Sequence, residues 1–356
     1  MAALKHVGHD VSLVSKFRSW NRNGDPKQQD LLEKRAQTVI KRVSRGSLAE
    51  FSGHKPDIWL TYHLYYKAPD LIGPHLSRFF GIPYLVAEAS HAPKREYGPW
   101  ARGHSAAEQA IRFADHIISL NPADAPCITP LLKKTAKITP LWPFLPNKWS
   151  FSDQTSANDG LRFLTQNGLD PSVTTLAVVA MMRDGDKYAS YCALAEALDH
   201  LSDLAWQLVI IGDGPTRHAL ERRYASLGER RIKFLGALRE DEVATALKSS
   251  DLFVWPAINE AYGMAILEAQ ATGLPVVAGD SGGVGQIIRN GKTGILTQEG
   301  NIKDFADAAR SLLIEPGRRS AMGEAAKQVV KRDHSFEKAA TTLDSILIES
   351  KKGKTR

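Results

Sequence analysis

The second half of the chain is organised by short apolar runs at near-regular spacing. Thr175-Leu176-Ala177-Val178-Val179-Ala180, Gln207-Leu208-Val209-Ile210-Ile211-Gly212 and Arg231-Ile232-Lys233-Phe234-Leu235-Gly236 are three of them. Runs at 251–255, 275–278 and 293–297 continue the series. Each reads as a strand covered on both faces, and the segments between them are long enough for a helix. Such alternation implies a parallel sheet with helices on both sides. Sheets of that kind bind ligands in the loops outside the carboxyl ends of their strands.

The first half shows the same alternation less cleanly. Strands are expected at 56–62, 83–88 and 116–120, and helices at 28–50, 70–80 and 103–113. Residues 1–10 read as the last turn of a helix closed by Gly8, and Val11-Ser12-Leu13-Val14-Ser15 as a strand. A doubly wound domain should open on a strand and a glycine-containing turn. Neither precedes this stub, so the first strand of the domain is expected to be missing, with a truncated start one explanation. Residues 11–15 are then expected at an exposed sheet edge. Three prolines crowd residues 140–147, and 152–160 is polar and turn-rich. The domain junction is placed there, giving one domain over 1–150 and a second over 151–335. A helix at 336–348 returns to the first domain, and 349–356 forms a basic tail, expected to be disordered over 351–356.

Composition sets the outer limits. The chain has 356 residues, a length that suits two domains. No apolar run reaches membrane-spanning length, and the start has no signal-peptide pattern. Cys127 and Cys192 sit in apolar stretches and read as reduced core thiols, in keeping with a cytoplasmic protein. The eleven histidines are scattered without metal-site spacing, so no metal is expected. The net charge of +7 is uneven: residues 1–150 hold 21 Lys and Arg against 12 Asp and Glu, and the rest 25 against 27. A basic first half suits either a solvated surface or peripheral contact with an anionic membrane. No zinc-finger or RNA-recognition signature supports nucleic acid.

Four loops of the second half leave strand ends. The first, Met182 to Lys187, offers Arg183 and Lys187 as fixed cations for a diphosphate; the plainer reading pairs them with Asp184 and Asp186. The second, Gly212-Asp213-Gly214-Pro215, has Arg217 at the third glycine of a dinucleotide fingerprint and reads mainly as a tight turn. The third, Gly236-Ala237-Leu238, offers backbone groups to a base edge. In the fourth, Glu260 precedes a helix that carries Glu268. Tyr262, Gly263, Met264 and Ala265 at that helix start can supply amides for phosphate, Glu268 can accept from ribose hydroxyls and Glu260 can hold a sugar hydroxyl; the plainer reading is a surface helix with two solvated acids. Ser281-Gly282-Gly283, after the next strand, adds backbone donors or is simply a flexible turn.

Taken in this order, these residues resemble the donor-binding half of retaining glycosyltransferases of the GT-B fold, family 4, also called glycosyltransferase group 1. The resemblance covers roughly residues 170–300. It implies two doubly wound, Rossmann-like domains facing a cleft, a nucleotide-sugar donor and a glycan or lipid-linked acceptor. It also implies retention of configuration, with no cofactor and no metal. Arg183 and Lys187 then neutralise the leaving diphosphate. In the first half only the layout is similar, and His91 is the nearest match to the family's histidine beside the transferred sugar. Two other readings stand beside it. One is a non-catalytic or truncated sugar-nucleotide-binding protein, and the other is a nucleotide-sugar epimerase.

Overall fold

The computed structural model describes residues 1–46, 55–146, 157–228 and 230–353. It divides into two compact units. The first comprises Met1–Trp142 with Glu337–Arg356, and the second Pro143–Phe336.

The first unit contains α1 (Ala2–His6), α2 (Pro26–Ser44), β1 (Trp59–Leu64), α3 (Gly73–Phe80) and β2 (Tyr84–Ala89). It continues with α4 (Ala101–Phe113), β3 (His116–Ser119), α5 (Ala125–Ile128) and β4 (Lys137–Pro140). Local chemistry sets several of these limits. The Asp25 side chain caps α2 by accepting from the Lys27 N–H at 3.1 Å, and Pro26 fills the first helical position. Gly81, left-handed at φ 62, ends α3. The four strands are parallel and lie side by side in chain order, β1-β2-β3-β4.

Four expectations fail here. Residues 11–15 form no strand, and β1 stands at the sheet edge instead. Val14 and Phe17 anchor that stretch against Ala36, Val43, Ile72 and Leu76, while Leu13 is 56% exposed. Anchors three residues apart do not fit a strand's period of two. β4 was not foreseen. It is short, polar and ends on proline, as an edge strand can. Cys127 is exposed, because α5 buries only Ile128. The basic tail is helical through Gly353: the last helix runs to that residue, and Lys137 pairs with Glu349 and Lys351 with Asp57.

The second unit runs α6 (Ala157–Gln166), β5 (Thr175–Val179), α7 (Asp186–Asp199), β6 (Gln207–Ile211), α8 (Arg217–Tyr224) and β7 (Ile232–Gly236). Then come α9 (Glu240–Lys248), β8 (Leu252–Trp255), α10 (Met264–Ala271), β9 (Val276–Asp280), α11 (Val284–Ile287) and β10 (Gly294–Gln298). Helices α12 (Ile302–Ile314) and α13 (Pro316–Asp333) follow, and α14 (Phe336–Gly353) completes the described chain. The polar stretch expected to be turn-rich thus becomes helical from Ala157, and residues 147–156 lie outside the described residues.

Six parallel strands lie in the order β10-β9-β8-β5-β6-β7. The chain winds outward from β5 to β7, then returns and winds the other way from β8 to β10. The direction reverses between β5 and β8, whose register pairs Leu176 with Leu252 and Ala177 with Phe253. That reversal is a topological switch point, the place outside the strand ends where sheets of this kind bind ligands. One continuous core fills both faces of the sheet, with Leu176, Val178, Leu208, Ile210, Phe253 and Val277 fully buried. Farther out, the Asn301 side chain caps α12 by accepting from the Asp304 N–H at 3.1 Å. Asn301→Ala should cost about 1 kcal/mol of stability, read as a lower urea midpoint with an unchanged slope. Among the described residues no helix is long and apolar enough to cross a membrane.

Candidate active site

The switch point brings Lys187 and Glu260 together. Lys187 lies in the first turn of α7, just beyond the loop after β5, and Glu260 lies in the loop after β8. Their side chains form an ion pair and are only 18% and 12% exposed. Lys187 therefore does not pair with Asp184 or Asp186. Asp186 instead accepts from the Asn259 amide at 3.0 Å, a second tie between the same two loops. Arg183 is exposed and pairs with no acidic side chain among the described residues.

Two further side chains hold the pair: Trp255, which the sequence shows only as a strand residue, and Ser281, read there only as part of a turn with backbone donors. The Trp255 indole N–H donates to Glu260 Oε2 at 3.1 Å, and its ring lies 5.3 Å from the Lys187 ammonium. The Ser281 hydroxyl accepts from the Glu260 N–H at 3.1 Å. The Glu260 loop is itself strained. Ala257 and Asn259 both adopt positive φ, at 55 and 46. Such conformations cost free energy and gather at functional sites. Here they are held by hydrogen bonds from the Ile258 N–H to Ser190 Oγ at 3.0 Å and from the Asn259 N–H to Glu299 at 2.8 Å.

The remaining loops crowd the same strand ends. Gly212 has φ 138, and a Cβ there would lie 1.9 Å from the Ala180 carbonyl oxygen, so only glycine fits. Its N–H donates to the Gly236 carbonyl at 2.8 Å, and the Met182 N–H donates to Asp213 at 2.9 Å. The loops after β5, β6 and β7 are thereby tied through their backbones. Arg217 pairs with Glu221 at 2.8 Å and with Asp213 at 3.4 Å, consistent with a tight turn and not a dinucleotide fingerprint. Gly283 donates to the Ala261 carbonyl at 2.6 Å, so its N–H braces the Glu260 loop and is not offered outward.

Gly263 begins α10 in the left-handed region at φ 70. Met264 is exposed, and Tyr262 and Ala265 are half-buried. The first-turn N–H groups of α10 are those a helix leaves without internal partners. Glu268 lies farther along α10. Burial, with a smaller contribution from Glu240, pushes its carboxyl up to about 7. Gly236 is buried and Leu238 is half-buried at the end of β7.

His91 belongs to the first unit. Its ring is 9% exposed and packs on His104 with centroids 4.7 Å apart. Burial, then the neighbouring His104, hold it below the ordinary histidine value, which favours the neutral ring.

Comparison with known proteins bears on this arrangement. Residues 172–329 match the family model described as Glycosyl transferases group 1. The sulfoquinovosyl transferase SQD2 of Arabidopsis thaliana is 35% identical over 142 residues, covering 39% of this chain and 27% of that protein. A D-inositol 3-phosphate glycosyltransferase of Rhodococcus erythropolis is 27% identical over 311 residues, covering 82% of this chain and 67% of that protein. The chain spans about a third of the length of the first curated relatives it matches. Among solved structures, Anabaena HepE in complex with UDP superposes with a TM-score of 0.70 at 17% identity, covering 92% of this chain and 85% of that one. The likeness shows the fold, an α/β protein of the GT-B type with two Rossmann-like units.

Proposed function

We propose that this chain is a glycosyltransferase of group 1 that moves a sugar from a nucleotide-sugar donor to a glycan or lipid-linked acceptor. The observation that carries the reading is the Lys187–Glu260 pair, poised at the switch point between β5 and β8. In this reading the donor diphosphate lies against Lys187, Arg183 and the amides of Gly263, Met264 and Ala265. Glu268 receives the ribose hydroxyls, and backbone groups at Gly236 and Leu238 face the base. Glu260, fixed by Trp255 and Ser281, accepts from a hydroxyl of the transferred sugar. This reading assigns no carboxylate as a covalent nucleophile and takes attack from the face the diphosphate leaves, with retention. The proposal gives His91 no contact with the sugar, because its ring is buried against its own unit. The basic charge of residues 1–150 supports a membrane-bound acceptor.

Two cations and a helix start meet the charge of the diphosphate, so this chemistry does not call on a divalent ion there. Adding millimolar Mg2+ or Mn2+ to the transfer reaction should leave the rate unchanged, and a rise of tenfold or more would contradict the assignment. The broader test is a melting-temperature screen of the full chain against UDP-, GDP- and ADP-sugars. A donor at 100 times its Kd should stabilise the fold by about 2.7 kcal/mol. Product analysis by NMR should then show a glycoside with the anomeric configuration of the donor. Binding without transfer to any glycan or lipid acceptor would support a non-catalytic sugar-nucleotide binder.

A further inference from the structure

The first unit holds a polar cluster that donor chemistry does not use. His91 follows β2, and His104 and Glu108 stand one turn apart on α4. One ring nitrogen from each histidine and a Glu108 carboxylate oxygen lie within 4.8 Å of one another. His91 Nε2 is 3.6 Å from Glu108 Oε2, beyond hydrogen-bonding distance. Both nitrogens of His91 and Nε2 of His104 are buried and make no hydrogen bond. His104 is 4% exposed, and the His91 side chain 9%. Leaving buried polar atoms unpaired is costly, so such atoms usually mark a strained, functional or ion-binding place.

The carboxylate is oriented for the same purpose. Arg112 Nε and Nη2 both reach Glu108 Oε1 at 2.8 Å, which leaves Oε2 toward the histidines. An outer partner that fixes a ligating carboxylate in this way is a common feature of metal sites.

We propose that His91, His104 and Glu108 bind a divalent transition-metal ion of the zinc class, which ties the loop after β2 to α4. Two imidazole nitrogens and one carboxylate oxygen are a donor set that zinc accepts, with water completing the sphere. Calcium and magnesium require more oxygen ligands. Ligand atoms about 2.0–2.1 Å from a tetrahedral ion stand about 3.3–3.4 Å apart. The widest pair must therefore close by at most about 1.4 Å, which rotation of the two rings and of the Glu108 side chain can supply.

The test uses the full chain without a histidine tag, stripped by chelator and then dialysed. Titration with Zn2+ should show one tight equivalent and a higher melting temperature, and Co2+ should give visible absorption bands. His104→Gln and Glu108→Gln should each weaken zinc binding at least tenfold. Glu108→Gln alters a partly exposed side chain, so it keeps the test sound if the His104 variant folds poorly. The site is refuted if the folded wild-type chain binds no zinc, or if it and the Glu108 variant bind zinc equally.

Discussion

Lys187→Ala should lower turnover by about 10²–10³-fold, the usual cost of removing one preorganised group aimed at developing negative charge. Leaving-group charge builds on the diphosphate as the glycosidic bond breaks. An ammonium already fixed at the switch point needs little reorganisation to meet it. Among the described residues, the same variant also leaves the Glu260 carboxylate with only the Trp255 indole as a side-chain partner, so some loss of stability is expected. A purely structural ion pair predicts something different. Removing both charges, in Lys187→Ala with Glu260→Gln, would then restore both stability and turnover, as neutral replacement of partly buried pairs often does. A catalytic lysine predicts that stability returns in the double variant while turnover stays low, well below that of Glu260→Gln alone. Wild-type turnover from a folded Lys187→Ala protein would show that the diphosphate charge is met elsewhere.

The readability of this chain follows its burial. β5, β6 and β8 are covered on both faces, so their residues form unbroken apolar runs, and those runs could be located from sequence alone. Edge elements gave weaker signals. Lys137-Ile138-Thr139-Pro140 pairs on one side only and has no such run. Residues 11–15 showed a strand-like pattern, yet their anchors Val14 and Phe17 are spaced for a single point of attachment. The site shows the same division. Glu260 and Lys187 stood out in the sequence because each lies between an apolar strand run and a helix, where ligand-binding loops of such sheets lie. Trp255 and Ser281 did not, because one looks like a core aromatic and the other like a turn residue until the reversal between β5 and β8 brings their loops together. The cluster in the first unit was half visible. His104 and Glu108 are four apart on one helix face, a spacing that places two ligands side by side. A histidine–carboxylate pair is a weaker signal than a histidine pair, and no local pattern links either residue to His91.

Glu268 makes the most distinctive prediction, because its raised carboxyl ties donor binding and stability to pH. Its folded-state value is about 7 against an ordinary 4.5. Between those values the folded chain holds a proton that the unfolded chain has lost. Stability therefore falls as pH rises from about 4.5 to about 7, and the full cost, about 3 kcal/mol, is present above 7. Glu268→Gln should remove that slope, leaving the variant more stable than wild type at pH 8 and close to it near pH 4.5. Donor binding should change in the opposite sense. A carboxylate buried without a cation is a strong acceptor once ionised, and two ribose hydroxyls would satisfy it. If the bound state requires the ionised form, donor affinity falls about tenfold per pH unit below 7 and levels off above it. Calorimetry from pH 5.5 to 8.5 should show that profile in the wild type, with proton release on binding near pH 6. In Glu268→Gln the profile should be flat, with affinity lower at pH 8 by about 1.5–3 kcal/mol, the contribution of a charged hydrogen bond. A variant that is more stable at pH 8 but binds the donor as tightly as wild type would make Glu268 a buried burden with no part in the ribose site.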